Sequence, residues 1–390
     1  MNMERDLIIQ NQTNARIPKM PLTRRDLVNR GLIVLFILVL LTPLTVMELQ
    51  VLPTKNYENR MLAEKPTVFD PLDGWTFFYG YETYLNDHFA FKNSLVALNS
   101  AYKGLLHTSA SDQVVLGKSG WLFYTSLDYP SSDPIGSFMG LNRFQDDQLE
   151  LLAAKFSAFD QKLKDDGIAF YLVIPPNKHT VYPEMLPKSI RKNAAETRMN
   201  QLIAYLREHT DVAVIDVSAP LLREQAHHQV YYKTDTHWNS YGAYIAYTEI
   251  LNTLGLSPNT PADYVISPRE VQGMDMARMA GAVGTKDLEY DFVLKNPGPA
   301  PTLIDGVFDS DKLAVYSNHD PSAPSLMIYH DSYNVALMPF LTPHFSRTIS
   351  KWSLFPSVRE VVELAPDYVV FEVLERNLEH LFAEDCLRPF

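Results

Sequence analysis

Apolar residues change their spacing several times along the chain, and each change predicts an element. Gly31 to Met47 (GLIVLFILVLLTPLTVM) is apolar and uncharged, a helix near the lower length limit for crossing a hydrocarbon layer about 30 Å thick. Between Gln145 and Lys164, the residues Leu149, Leu151, Leu152, Phe156, Phe159 and Leu163 recur at helical spacing and stop at Asp165-Asp166-Gly167. Ile168 to Ile174 (IAFYLVI) is a short continuous apolar run ended by Pro175-Pro176, the pattern of a buried strand. Asn193 to Glu208 reads as a helix and Val212 to Val217 as a second strand. Asn239 to Leu254 reads as a helix capped by Asn239 or Ser240. Ser325 to Tyr329 and Tyr368 to Val373 are two further strands. Strands alternating with helices of this length predict βαβ units, an α/β fold whose mostly parallel central sheet is covered on both faces. Ligands of such sheets bind beyond the carboxyl ends of the strands. The segments just after the apolar strands therefore carry most of the functional weight.

The flank of the first apolar run changes its meaning. Arg16, Lys19, Arg24, Arg25 and Arg30 precede it, opposed only by Asp26. Positive flanks stay in the cytoplasm, so residues 1–30 are expected as a cytoplasmic tail and 31–48 as a transmembrane anchor. Residues 49–75, with scattered Pro and turn residues, are expected as a linker, and 76–390 as the exported domain. That organisation makes a single-pass protein of the inner (cytoplasmic) membrane with its bulk in the periplasm. A buried core helix and a cleaved signal peptide compete with this reading. Thr42 to Gln50 offers no A-x-A-like cleavage site, which favours an uncleaved anchor.

Composition removes several functional classes. The 390 residues are 46% hydrophobic and carry a formal net charge of −12, an ordinary globular make-up that disfavours nucleic acid as a partner. One cysteine, Cys386, rules out an intramolecular disulfide framework and a Cys-based zinc site. Neither a GxxxxGK[ST] nor a GxGxxG run is present, so the common nucleotide cradles are missing.

Candidate chemistry gathers in three segments: Ile174 to Lys178, Tyr231 to Asn239, and Ile328 to Asn334. Asp235 and His237 are two residues apart, so in an extended segment both face one way. A carboxylate so placed fixes the imidazole tautomer and favours the imidazolium formed when the other nitrogen takes a proton. Ser332 follows a strand where a helix is expected, a junction that exposes a hydroxyl and offers free N–H groups for an oxyanion. An adjacent base would make that hydroxyl a nucleophile. The bland alternatives are a helix-capping or core His237 packed by Trp238, and a simple N-cap at Ser332. His227, His228, Asp235 and His237 also form a metal-like cluster, but the spacing matches no standard zinc pattern and no metal is expected.

Several segments, in order, resemble the alginate O-acetyltransferase family of AlgJ- and AlgX-like proteins. They are NYENRMLAEKP (Asn56 to Pro66), YLNDHFAFK (Tyr84 to Lys92), VVLGKSGWLFY (Val114 to Tyr124) and IPPNKHTVYPE (Ile174 to Glu184), followed by DTHWNSYGAY (Asp235 to Tyr244), HDSY (His330 to Tyr333) and PDYVVFEVLERNL (Pro366 to Leu378). The resemblance implies an SGNH-hydrolase-like three-layer sandwich with Ser332 as nucleophile, His237 as general base and Asp235 as its orienting acid. Where SGNH enzymes usually carry glycine two residues before the serine, this chain has His330. Asn177 is the best candidate for an oxyanion or positioning donor, and His330, Trp238 and Tyr333 are candidate substrate or oxyanion-side residues. Arg376 is a candidate ion-pair partner of Glu375 or Glu372, or a substrate contact. The resemblance further implies O-acetylation of a polysaccharide acceptor without a bound cofactor, with a membrane-bound O-acyltransferase partner supplying acetyl groups. A carbohydrate acetylesterase and a non-catalytic subunit of a polysaccharide export complex use the same features and remain open at this point.

Overall fold

The computed structural model describes residues 23–49, 51, 62–67, 74–105, 109, 111–126, 128–193, 196–282, 284–306 and 313–388. The tail before residue 23, with Arg16 and Lys19, lies outside these residues, as do most of the expected linker and the Asn56 to Met61 part of the first family-like segment. The chain falls into two compact units, Met1–Leu95 and Val96–Phe390.

The first unit holds α1 (Arg24–Glu48) and α2 (Gly74–His88). A capping box starts α1: the Asp26 N–H donates to Thr23 Oγ1, and the Thr23 N–H donates to the Asp26 carboxylate at 2.9 Å. Among the described residues it is the one helix long and apolar enough to cross a membrane. Its Leu32 to Leu41 side chains are exposed to more than two fifths. At its end, Glu48 pairs with Lys65 at 2.6 Å, and Met47 is buried with Tyr84 and Ala90.

The second unit is built on α3 (Lys92–Leu105), which spans the division, then β1 (Val114–Leu116), β2 (Leu122–Tyr124), α4 (Asp146–Asp165), β3 (Ala169–Val173), α5 (Arg198–His209), β4 (Ala213–Ile215) and α6 (Ser240–Thr253). It continues through β5 (Tyr264–Gln272), β6 (Lys286–Leu294), β7 (Thr302–Gly306), β8 (Leu313–Ser317), β9 (Ser325–His330), α7 (Asn334–Leu341), β10 (Arg347–Trp352), α8 (Val358–Leu364) and β11 (Tyr368–Glu372). Seven strands make one sheet in the order β4-β3-β11-β9-β10-β8-β7. The pairings from β4 to β10 are parallel, whereas β10–β8 and β8–β7 are antiparallel. The sheet is therefore mixed, with four parallel pairings and two antiparallel ones. The antiparallel part comes from the segment between α6 and β9: after the separate β5–β6 hairpin it supplies β7 and β8, of which β8 runs antiparallel to β10 and β7 antiparallel to β8.

Side-chain alternation splits the sheet's apolar residues between two cores. Leu326, Ile328, Val173 and Val370 face one core with α6 and α7. Met327, Tyr329, Leu172, Val369 and Phe371 face the other with α4, α5 and α8. Central β9 is buried at every position, which is why it reads as an unbroken apolar run. Helices on both faces leave the carboxyl ends of β3, β9 and β11 side by side; the Ile174 to Lys178 segment follows β3, the Ser332 segment follows β9, and the His237 segment arrives from the loop before α6.

Candidate active site

Ser332 comes from the turn between β9 and α7. Asp331 shapes that turn: its Oδ1 accepts from the Tyr333 N–H at 3.0 Å, and its Oδ2 accepts from the Leu374 N–H at 3.0 Å and Asn377 Nδ2 at 2.7 Å. His237 comes from the loop before α6, closed by an antiparallel bridge between Tyr231 and Trp238. Asn239 caps α6 by accepting from the Gly242 N–H at 3.1 Å. The loop is pinned from several sides. The Leu122 N–H donates to Lys233 O at 2.8 Å, the Ala277 N–H to Thr234 O at 3.1 Å, and the Thr234 N–H to Asp287 Oδ2 at 2.7 Å.

Two bonds join the loop to the serine turn. Trp238 Nε1 donates to Tyr333 O at 3.0 Å, and the Tyr333 hydroxyl donates to Thr236 O. His237 Nε2 then lies 2.7 Å from Ser332 Oγ, and His237 Nδ1 lies 2.6 Å from Asp235 Oδ1. Burial alone would raise the Asp235 carboxyl. The side-chain bond and charge of His237, together with the N–H groups of His237 and Asp275, outweigh burial and bring it down to about 2. An ionised carboxylate only accepts, so Nδ1 carries the ring proton and Nε2 is left to accept from the Ser332 hydroxyl. The arrangement can therefore take a proton from Ser332 and stabilise the resulting imidazolium.

Asp275 extends this chain. Its N–H donates to Asp235 Oδ2 at 3.2 Å, while its carboxylate accepts from the Thr236 N–H at 2.9 Å and the Thr236 hydroxyl at 2.8 Å. Burial and the neighbouring Asp235 charge raise its carboxyl. Asp235, His237 and Asp275 bring metal-ligating atoms within 4.8 Å of one another. A metal there would compete with the hydrogen bonds of His237 and Asp235 just described. His228 stands apart from this group, paired with Glu224 and stacked on Tyr241.

The other expected site residues take different places. Asn177 is buried, and both polar atoms of its side chain lack a partner among the described residues. Its N–H donates to Glu375 Oε2 at 2.8 Å, where Glu375 also accepts from the hydroxyls of Ser137 and Thr180. His330 is corrected from a substrate-side candidate to an internal one. Its ring is fully buried, with Nδ1 2.8 Å from Asp331 O and Nε2 2.7 Å from Ser350 Oγ on β10. Trp238 and Tyr333 are buried too, and their polar groups are held by backbone carbonyls, so they position the two loops while their rings back the cleft. The Arg376 guanidinium carbon lies 5.7 Å from the Tyr124 ring centre and 5.8 Å from that of Tyr333.

Lys178 is a positioning residue that the sequence reading passed over. Its buried ammonium donates to the carbonyls of Tyr232 at 3.0 Å, Lys233 at 3.0 Å and Asp235 at 2.7 Å. Burial brings its pKa down to about 7. The residue stood within the quoted IPPNK segment, but a lysine's burial depends on long-range packing and leaves no local signal.

Two clefts meet at His237. One, of about 770 Å³, contains Ser332 and is walled by α7 and the β6 arm of the hairpin. The other, of about 530 Å³, contains Tyr124, Asp275 and Arg376.

Comparison with known proteins gives this geometry a context. Residues 114–294 match the family model described as "SGNH hydrolase-like domain, acetyltransferase AlgX". That stretch holds Asp235 and His237 and ends before Ser332. The protein named "Probable alginate O-acetylase AlgJ" from Pseudomonas fluorescens is 31% identical over 183 residues, 44% of this chain and 41% of the relative. The protein of the same name from Pseudomonas putida is 28% identical over 165 residues, 42% of this chain and 40% of the relative. The matches thus span about two fifths of the relatives' length. Among solved structures, Bacillus cereus PatB1 is 18% identical, covers 67% of this chain and 95% of its own, and superposes with a TM-score of 0.50, a likeness of fold alone.

Proposed function

We propose that this chain, an AlgJ/AlgX-like protein by its SGNH hydrolase-like domain, is a membrane-anchored O-acetyltransferase that acetylates sugar hydroxyls of an exported polysaccharide. The observation that carries the reading is the continuous hydrogen-bonded chain from Ser332 Oγ through His237 to Asp235, 2.7 and 2.6 Å long, at the carboxyl ends of the sheet. Ser332 Oγ attacks the acetyl carbonyl while His237 Nε2 takes its proton. The tetrahedral oxyanion collapses, expelling the donor's leaving group, which takes the proton from His237. A sugar hydroxyl then gives its proton to His237 and attacks acetyl-Ser332, forming the sugar ester and restoring the serine.

Asn177 is the oxyanion donor the resemblance implies; its buried amide lacks a partner among the described residues and lines neither cleft, so the role requires the amide to turn toward Ser332. The apolar α1 supports retention at the inner membrane with the second unit outside the cytoplasm. A membrane-bound O-acyltransferase would then deliver acetyl groups to that side. The test is acetyl trapping on the full chain with p-nitrophenyl acetate. Acetyl-Ser332 should form, and added oligosaccharide should carry the acetyl away as a sugar ester. Ser332→Ala should abolish both signals. An unchanged ester yield in that variant, or acetyl release to water alone whatever acceptor is added, would overturn the transferase reading.

A further inference from the structure

The walls of the Ser332 cleft carry a chemical bias. Among the described residues, their formally charged side chains are Asp235, Glu289 and Asp291, with no lysine or arginine. Glu289 is buried and fixed, accepting from the Ser240 N–H at 2.9 Å and from the Tyr232 hydroxyl. Asp291 is half-exposed and pairs with Arg269 at 2.8 Å, an exposed contact that screens its charge only in part. A second cation, Arg376, lines the other cleft, where Asp275 faces the same space. The whole chain adds a net charge of −12. A carboxylate-bearing chain entering beside Ser332 would therefore meet like charge at close range.

The remainder of the wall suits a sugar without charge. The part-exposed Tyr290 and Phe292, backed by the buried Trp238 and Phe340, offer aromatic surface to the apolar faces of pyranose rings, and the carboxylates offer acceptors to hydroxyls. We infer that the acceptor taken by the Ser332 cleft is an uncharged polysaccharide, and that the acidic wall of β6 discriminates against uronate chains. This rests on the transferase reading above and names its substrate class.

The experiment compares acceptors of equal length, a neutral β-1,4-glucan oligosaccharide and an oligomannuronate, with the full chain and p-nitrophenyl acetate as donor. Acetyl-Ser332 is followed by mass spectrometry alongside the sugar ester. The neutral acceptor should be used with kcat/KM about ten-fold higher or more, and the gap should narrow with added salt. Asp291→Lys should narrow it as well, by raising use of the uronate acceptor about three-fold or more. If acetyl-Ser332 forms but the uronate is used equally or better, or if the gap ignores both salt and Asp291→Lys, the inference is overturned while the transferase reading stands. If neither sugar discharges acetyl-Ser332 faster than water, or if no acetyl-Ser332 forms, the transferase reading falls and takes the inference with it.

Discussion

Replacing Asp235 by Asn keeps the shape of the side chain and removes the charge that steadies His237. Because Asp235 titrates at about 2, it is a carboxylate throughout the neutral range. Asp235→Asn can present an N–H to His237 Nδ1 and so favour the wrong tautomer. Acetyl transfer should fall by about 10⁴-fold in kcat, measured as the rate of acetyl-Ser332 formation. Asn177→Ala removes a single uncommitted amide and should lower kcat by about 10²–10³-fold with little change in KM; an equal loss in both parameters would point to substrate binding instead. Glu372 carries a prediction about stability. It is fully buried, and burial followed by the charge of Asp331 raises its carboxyl well above the ordinary value. The native state thus keeps a proton that the unfolded state releases above about pH 4.5. Stability is fully present below that value and declines as pH rises toward the raised native pKa. Glu372→Gln should therefore gain Tm relative to the parent as pH is raised from about 5 to 8, read by thermal melts; a difference that does not vary with pH would contradict it. What was legible at this scale was local. Asp235 and His237 could be paired because two residues of extended chain align them, whereas the three carbonyls that hold Lys178 come from a segment more than fifty residues away.

Elements were legible where burial imposed a single pattern. The α4 helix and the β3, β9 and β11 strands lie where their apolar runs predict, within a residue or two. By contrast, β7 is exposed along its whole length, β10 mixes polar with apolar residues, and the apolar run of β8 is only four residues long. Their absence from the sequence reading is why the sheet looked more parallel than it is. The hairpin of β5 and β6, which supplies a wall of the Ser332 cleft, likewise carries largely exposed positions on β5. The junction of α6 with the His237 loop rests on a close approach that only glycine permits. A Cβ on Gly242 would lie 2.1 Å from Val230 O and 2.9 Å from Trp238 Cβ. Gly242→Ala should force the loop away from the helix at a cost of about 1–3 kcal/mol or more. That loss corresponds to a fall in Tm of about 2–4 °C per kcal/mol, with acetyl transfer reduced as His237 shifts. Gly284→Ala, where a Cβ meets open space, should stay within about 0.5 kcal/mol of the parent and serves as the matched control.

At the scale of the whole molecule the chemistry depends on which side of a membrane the second unit occupies. The long apolar run was the plainest signal in the sequence because it is apolar on every face of the helix, and α1 covers it from Arg24 to Glu48. The division between Leu95 and Val96 had no such signal, since it falls within α3 rather than in a linker of distinct composition. Arg24, Arg25 and Arg30 lie on the amino-terminal side of the uncharged stretch, and Glu48 closes the other end. That asymmetry predicts the amino terminus inside and Val96–Phe390 outside. The full chain should stay with the membrane fraction after an alkaline carbonate wash, and protease added to spheroplasts should digest the second unit. A chain lacking residues 1–50 and exported by a cleavable signal should be recovered from the periplasm in soluble form. Changing Arg24, Arg25 and Arg30 to Glu should protect part of the population from the protease, because the charge bias that sets orientation is reversed. Release of the full chain by carbonate would show that α1 is not an anchor. Protection of the second unit in the parent would put Ser332 in the cytoplasm, away from any exported acceptor.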